Sequence, residues 1–188
     1  MYKTGLASIA FRQLSVEEII RLAKDNGLSC IEWGSDVHAP KDDLDNIDRI
    51  RRLTEEAGLK CSSYGTYYFA GKDDPEDIRG YITAAKRLGV STLRIWCAGH
   101  PYEIPAEDIQ RRYEACRQIA KIAEEENVLI CAECHSGNLT HDLASSLAFM
   151  EAVNSPHFRM YWQPNQFKSF EENVEYAKAI AKYTKQIH

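Results

Sequence analysis

The sequence predicts an α/β protein of the (β/α)8 barrel type, incomplete, with six parallel strands and six helices in a single domain over residues 1–188. Three observations carry that reading. A glycine-led tetrad recurs as Gly27-Leu28-Ser29-Cys30, Gly58-Leu59-Lys60-Cys61 and Gly89-Val90-Ser91-Thr92, at a spacing of 31 residues. Each copy closes an amphipathic helical stretch and opens a short apolar run, which is how βα units alternate. Polar residues recur at the predicted C-terminal ends of strands, namely Glu32, Tyr64, His100, Glu133, His135, Gln163 and Asn165, where a barrel gathers its site. Finally, no G-x-G-x-x-G or P-loop follows an early strand, as an open nucleotide-binding sheet would require.

The elements follow in order. Strands are expected near 5–10, 30–34, 60–64, 92–97, 128–133 and 158–163. Helices are expected near 16–26, 43–57, 75–88, 106–126, 141–153 and 169–184. Ser15-Val16-Glu17-Glu18 is a capping-box start for the first helix. Pro75 and Pro105 stand near the first turn of their helices, where a missing N–H costs little. Glycine ends three of the helices because it tolerates the left-handed cap position. Asn127 and Asn154 take that place in two later units. Ile109, Tyr113, Cys116, Ile119, Ala120 and Ala123 recur at helical spacing and form a core-facing stripe.

Composition narrows the function classes. Hydrophobic residues make up 44% and charged residues 27%, as in soluble globular domains. No apolar run approaches the ~18 residues of a membrane span. The start, MYKTGLASIAF, is too short and polar for a secretory signal, so a cytoplasmic protein is expected. A net charge of −5 without a basic stripe argues against a nucleic-acid partner. Six cysteines mostly sit in apolar runs, where free cysteine behaves as a small hydrophobe. Cys131 and Cys134 match C-x-x-C, but in a strand they point to opposite faces, so redox chemistry is not expected.

Strand periodicity also predicts which side chains point inward. Glu133 and His135 share a face with Cys131, Arg94 with Trp96, and Arg159 with Tyr161 and Gln163. Inward charged and amide groups need partners or a polar ligand. A sugar suits such a lining, and a divalent metal suits Glu133. Glu32 is expected to hydrogen-bond a neighbour or a sugar hydroxyl. One or two of Trp33, Trp96 and Trp162 are expected to floor the sugar site. The segment 64–68 reads as a loop rim that stacks on a ligand or packs, and His141, His157 and His188 as surface residues. The absence of a Ser/Gly-rich anion nest favours an unphosphorylated substrate.

Four segments resemble one family: Cys30-Ile31-Glu32-Trp33-Gly34-Ser35-Asp36-Val37-His38-Ala39-Pro40, Leu93-Arg94-Ile95-Trp96-Cys97-Ala98-Gly99, Ala132-Glu133-Cys134-His135-Ser136-Gly137-Asn138-Leu139-Thr140 and Tyr161-Trp162-Gln163-Pro164-Asn165. In this order they are similar to strands two, four, five and six of the xylose-isomerase-like TIM barrels, the sugar phosphate isomerases/epimerases. The resemblance implies metal-assisted proton transfer on a carbohydrate. It implies one divalent metal, Mn²⁺ or Mg²⁺, held by Glu, Asp, His and Glu from strands five to eight. Glu133 matches the first of these and doubles as the catalytic acid/base. Gln163 falls at or near the second metal position, although a neutral amide is a weaker ligand for a hard cation. His38, His100, His135 and Asn138 fall among substrate-contacting positions; Glu32, Trp96 and Asn165 complete the expected sugar contacts. The strand-seven histidine and strand-eight glutamate have no counterpart, unless His188 is a remnant of the former.

A typical barrel has ~250 residues, so the chain is expected to lack about 60 and to expose strands one and six as edges. Open edges invite pairing with another chain. A rival reading is therefore a non-catalytic truncated barrel that self-associates or binds a sugar. A more distant rival is an abasic-site endonuclease, for which the metal ligands and basic surface are too few.

Overall fold

A computed structural model describes residues 3–188. Seven strands stand in chain order in one sheet: β1 (Gly5–Ala7), β2 (Cys30–Gly34), β3 (Lys60–Ala70), β4 (Thr92–Cys97), β5 (Leu129–Glu133), β6 (Phe158–Trp162) and β7 (Thr184–Ile187). The α-helices are α1 (Val16–Asp25), α2 (Leu44–Glu56), α3 (Ile78–Arg87), α4 (Ala106–Glu125), α5 (Leu143–Val153) and α6 (Phe170–Ile180). This is an incomplete TIM-barrel architecture with seven strands rather than the expected six. The seventh arises because Ala181–Tyr183 tightens into a 3-10 turn after α6. That turn frees Thr184–Ile187 to pair in parallel with β6. β6 is therefore paired on both sides and is not an edge.

The chain divides into two compact units. The first runs up to Tyr67 and includes Arg79–Leu93. Its first strand is shorter than expected, because Ser8–Phe11 turns into a 3-10 segment after Ala7. The predicted capping box opens α1: the Glu18 N–H donates to Ser15 Oγ, and the Ser15 N–H donates to Glu18 Oε2 at 2.7 Å. The Ser15 N–H and hydroxyl, both donating to Oε2, hold the Glu18 carboxyl below its usual range. Ile19 and Ala23 on α1, Ile31 and Trp33 on β2, and Ile47 and Ile50 on α2 are fully buried. Trp33 Nε1 donates to Thr54 Oγ1 at 3.2 Å, so this tryptophan is core rather than a sugar floor. Gly27, Gly58 and Gly89 all take positive φ, as the recurring tetrad requires.

The second unit comprises Tyr68–Ile78 and Arg94–His188. It carries most of β4 and all of β5, β6 and β7. In register, Glu133 pairs with Tyr161, and Tyr161 with Gln186. Leu93 and Ile95 alternate with the inward Arg94 and Trp96, and both are fully buried. Asn127 and Asn154 adopt φ 53° and 45°, the left-handed cap expected of them. Phe149 on α5 meets Phe158 on β6 edge to face at 5.6 Å, both fully buried. Phe149→Ala should destabilise the protein by about 3–5 kcal/mol, read as a lowered denaturation midpoint in urea.

The 64–68 segment is not a loop rim. β3 continues through it to Ala70, and Tyr64 and Tyr68 are fully buried. The Tyr64 hydroxyl donates to Ala39 O at 2.6 Å. The run Tyr64-Gly65-Thr66-Tyr67-Tyr68 is rich in β-formers, and its tyrosines pack, the alternative expected for them.

Candidate functional site at the strand ends

The second unit concentrates its polar chemistry at the C-terminal ends of β4, β5, β6 and β7. Arg94 is 1% exposed and Glu133 6%. Arg94 Nη1 donates to Glu133 Oε2 at 2.5 Å. The guanidinium also lies 5.4 Å from the centre of the Trp96 ring, a cation–π distance. The other carboxylate oxygen, Oε1, stands 3.5 Å from His188 Nδ1. His188 is held there from two sides: its backbone N–H donates to Trp162 O at 2.9 Å, and its ring meets Tyr161 edge-on at 5.1 Å. The Tyr161 hydroxyl lies 3.3 Å from Gln186 Oε1. His188 is exposed as a residue, as expected, but its imidazole is only 18% exposed and turns toward Glu133. The reason is β7, which places residue 188 two positions beyond Gln186 and on the same face.

Beyond Glu133 the chain forms the wall of a cavity of about 310 Å³. It is lined by Cys134, His135, Ser136, Thr140, His141, Gln163, Pro164, Asn165, Gln166 and Tyr176. No lysine or arginine is among these. Thr140 shapes the loop, since its hydroxyl donates to Glu133 O at 2.5 Å. His135 Nδ1 lies 2.7 Å from Ser136 O. A carbonyl only accepts, so Nδ1 carries the proton, and neutral His135 keeps its lone pair on Nε2. The His135 ring packs edge-on against Trp96 at 5.1 Å, and Trp96 stacks on Phe69. The buried Trp96 Nε1 has no protein partner.

The loops after β4 and β5 are joined. Leu139 N–H donates to Cys97 O, and Ala98 bridges to Asn138, which is 6% exposed. His100 faces His141 with ring centres 4.2 Å apart, and the Tyr102 hydroxyl donates to Asp142 Oδ2 at 2.7 Å. His141 was expected at the surface but lines the cavity; only its place on the loop, invisible in the sequence, reveals this. His157 is half-buried, its Nδ1 2.9 Å from Val128 O. Asn165 braces the far wall, with Nδ2 donating to His141 O at 3.2 Å. Arg159 does not join the site, although it shares the Tyr161 face. It turns back to Ser155 O and Phe158 O at the opposite end of β6.

Glu32 and His38 lie in the first unit. Glu32 accepts from Ser63 Oγ at 2.8 Å. His38 is buried, and its Nε2 donates to Leu14 O at 3.0 Å.

Cys134 is 3% exposed, and burial pushes its thiol up to about 12. Its stabilising contribution is therefore present below the ordinary thiol value and fades as pH rises toward 12. At pH 8 Cys134 should resist alkylation in the folded protein and react only on unfolding, which mass spectrometry after iodoacetamide treatment would read. All six cysteines are free thiols.

A divalent cation does not fit the donors at Glu133. The carboxylate already bonds a buried guanidinium, and Gln163 offers a neutral amide. Among the described residues, no group of three or more His, Cys, Asp or Glu side chains is arranged to hold a metal. Among them, too, no helix is long and apolar enough to cross a membrane.

The comparisons with known proteins agree with this architecture. A family model described as xylose isomerase-like TIM barrel matches residues 20–188. The chain belongs to that family. No curated protein matches the sequence. Among solved structures, the probable 3-DHS dehydratase AsbF from Bacillus anthracis superposes with a TM-score of 0.86 at 17% identity, covering 100% of this chain and 72% of that one. D-allulose 3-epimerase from Methylomonas sp. gives 0.79 at 17%, covering 100% and 73%. A xylose isomerase-like TIM barrel protein from Mycobacterium smegmatis, in complex with magnesium, gives 0.76 at 13%, covering 100% and 76%. At these identities the likeness shows the fold.

Proposed function

We propose that this chain is a sugar isomerase/epimerase-type protein that moves a proton on a carbon next to a carbonyl. The observation that carries the reading is the Arg94–Glu133–His188 arrangement, one residue before a cavity walled by neutral hydrogen-bonding groups. A polyhydroxy ligand suits that wall, because imidazole, amide and hydroxyl groups can each exchange hydrogen bonds with sugar hydroxyls. The D-allulose 3-epimerase among structures of like fold supports carbohydrate chemistry.

The chain's own residues perform the step as follows. His135, Gln163 and Asn165 hold the sugar hydroxyls. Arg94 fixes Glu133 through Oε2, and Oε1, on the His188 side, is the proton-accepting atom. Glu133 takes the proton from the carbon beside the carbonyl. The C–H electron pair becomes a carbon–carbon double bond, and the carbonyl electrons move to oxygen. A solvent proton delivered to the opposite face gives the epimer, with the Glu133 proton released to solvent; return of the Glu133 proton to the former carbonyl carbon, while the hydroxyl proton moves to the former carbonyl oxygen, gives the isomer. His188 stands where it can pass a proton to or from Oε1. The Mn²⁺ or Mg²⁺ implied by the family resemblance does not fit the donors present.

A second reading, a sugar binder without turnover, is favoured by the burial of Glu133 at 6% exposure. One experiment separates the two. The protein is incubated with unphosphorylated ketoses and aldoses in D₂O, and deuterium on carbon is read by mass spectrometry. Incorporation with at least one sugar supports turnover. Binding without incorporation supports the binder.

A further inference from the structure

We infer that Arg94 is the resident counter-cation of this site and holds the place on Glu133 that a divalent metal would otherwise take. The inference takes from the proposed function only that Glu133 is the centre of the site. The geometry points to it in three ways. Arg94 is 1% exposed, so its charge has little water to screen it and must be met by protein. Glu133 is among its partners, with Nη1 at 2.5 Å from Oε2. Together the two carry no net charge. A dication approaching Oε1 would meet the guanidinium's positive charge across a single carboxylate, in a setting with weak screening.

Nothing in the cavity wall offsets that repulsion. Its members Cys134, His135, Ser136, Thr140, His141, Gln163, Pro164, Asn165, Gln166 and Tyr176 include no carboxylate, and hard divalent cations are held by several anionic oxygens. Gln163 shares the cavity with His135 and supplies an amide oxygen where a carboxylate would have added charge. His188 Nδ1, 3.5 Å from Oε1, is a neutral or positive neighbour. The pair therefore provides by salt bridge the charge balance that a metal provides elsewhere.

The test is Mn²⁺ binding, read by the loss of the free-ion electron paramagnetic resonance signal, on wild type, Glu133→Gln and Arg94→Met. No sugar is present, so the result is independent of turnover. Wild type should show no saturation up to about 1 mM, weaker than dedicated oxygen-ligand sites. Arg94→Met, which leaves the carboxylate without its counter-cation, should bind at least about tenfold more tightly. If the Met variant does not fold, Arg94→Gln removes the charge while its amide can still donate to Glu133. Saturable wild-type binding below about 0.1 mM that disappears in Glu133→Gln would overturn the inference. So would a folded, neutral variant at 94 that binds Mn²⁺ no better than wild type.

Discussion

Glu133→Gln should reduce solvent-deuterium incorporation into a turned-over sugar by about 10²- to 10⁴-fold, the range for losing a positioned acid/base group. The substitution is nearly isosteric. The amide oxygen can still accept from Arg94 Nη1, which sits 2.5 Å from Oε2 in the native protein. What the amide cannot do is take a proton from carbon at neutral pH. Sugar binding should survive, because His135, Gln163 and Asn165 line the cavity and Glu133 does not. The expected pattern is thus a collapse of exchange at nearly unchanged sugar affinity, measured by mass spectrometry and calorimetry on one preparation. Exchange at the wild-type rate in a folded Glu133→Gln protein would remove Glu133 from the chemical step.

The second large effect is on stability. Arg94→Ala should destabilise the protein by about 3–5 kcal/mol, the usual loss when one partner of a buried ion pair is removed. Two costs combine. The Glu133 carboxylate, 7% exposed, loses its guanidinium, and Trp96 loses the cation at 5.4 Å. Arg94→Lys should recover part of the loss. Lysine restores the charge but not the planar fork that aligns with a carboxylate while lying along an indole. Urea denaturation checks this, with the midpoint moving and the slope preserved. A loss below about 1 kcal/mol for Arg94→Ala would mean that the pair behaves like a surface bridge.

Much of the fold was legible because βα repetition is local information. The tetrads at Gly27, Gly58 and Gly89 mark helix ends through a backbone demand, and all three glycines take positive φ. Alternation along strands also read well, since the face of Arg94 and Trp96, and that of Glu133, followed from a period of two. The misses share a different cause. β7 is four residues long and follows a helix without a glycine stop, so helical periodicity runs on to 184 and masks where the strand starts. The approach of the exposed His188 to Glu133 depends on that strand, so periodicity alone does not reveal it. His141 was missed because its ring is positioned by Gly137 N–H, which donates to Nδ1, and by the face of His100. Those are tertiary contacts with no spacing signature. Arg159 shows the reverse: a shared face does not fix which end of a strand a long side chain reaches.

The proposed carbohydrate site draws side chains from the ends of successive strands, and sugar titration followed by NMR reads whether they act together. A turned-over or bound ketose should move the Trp96 indole N–H, the Gln163 and Asn165 side-chain amides and the His135 ring together, with one shared affinity. Shifts absent from all four, or fitting unrelated affinities at scattered positions, would contradict it.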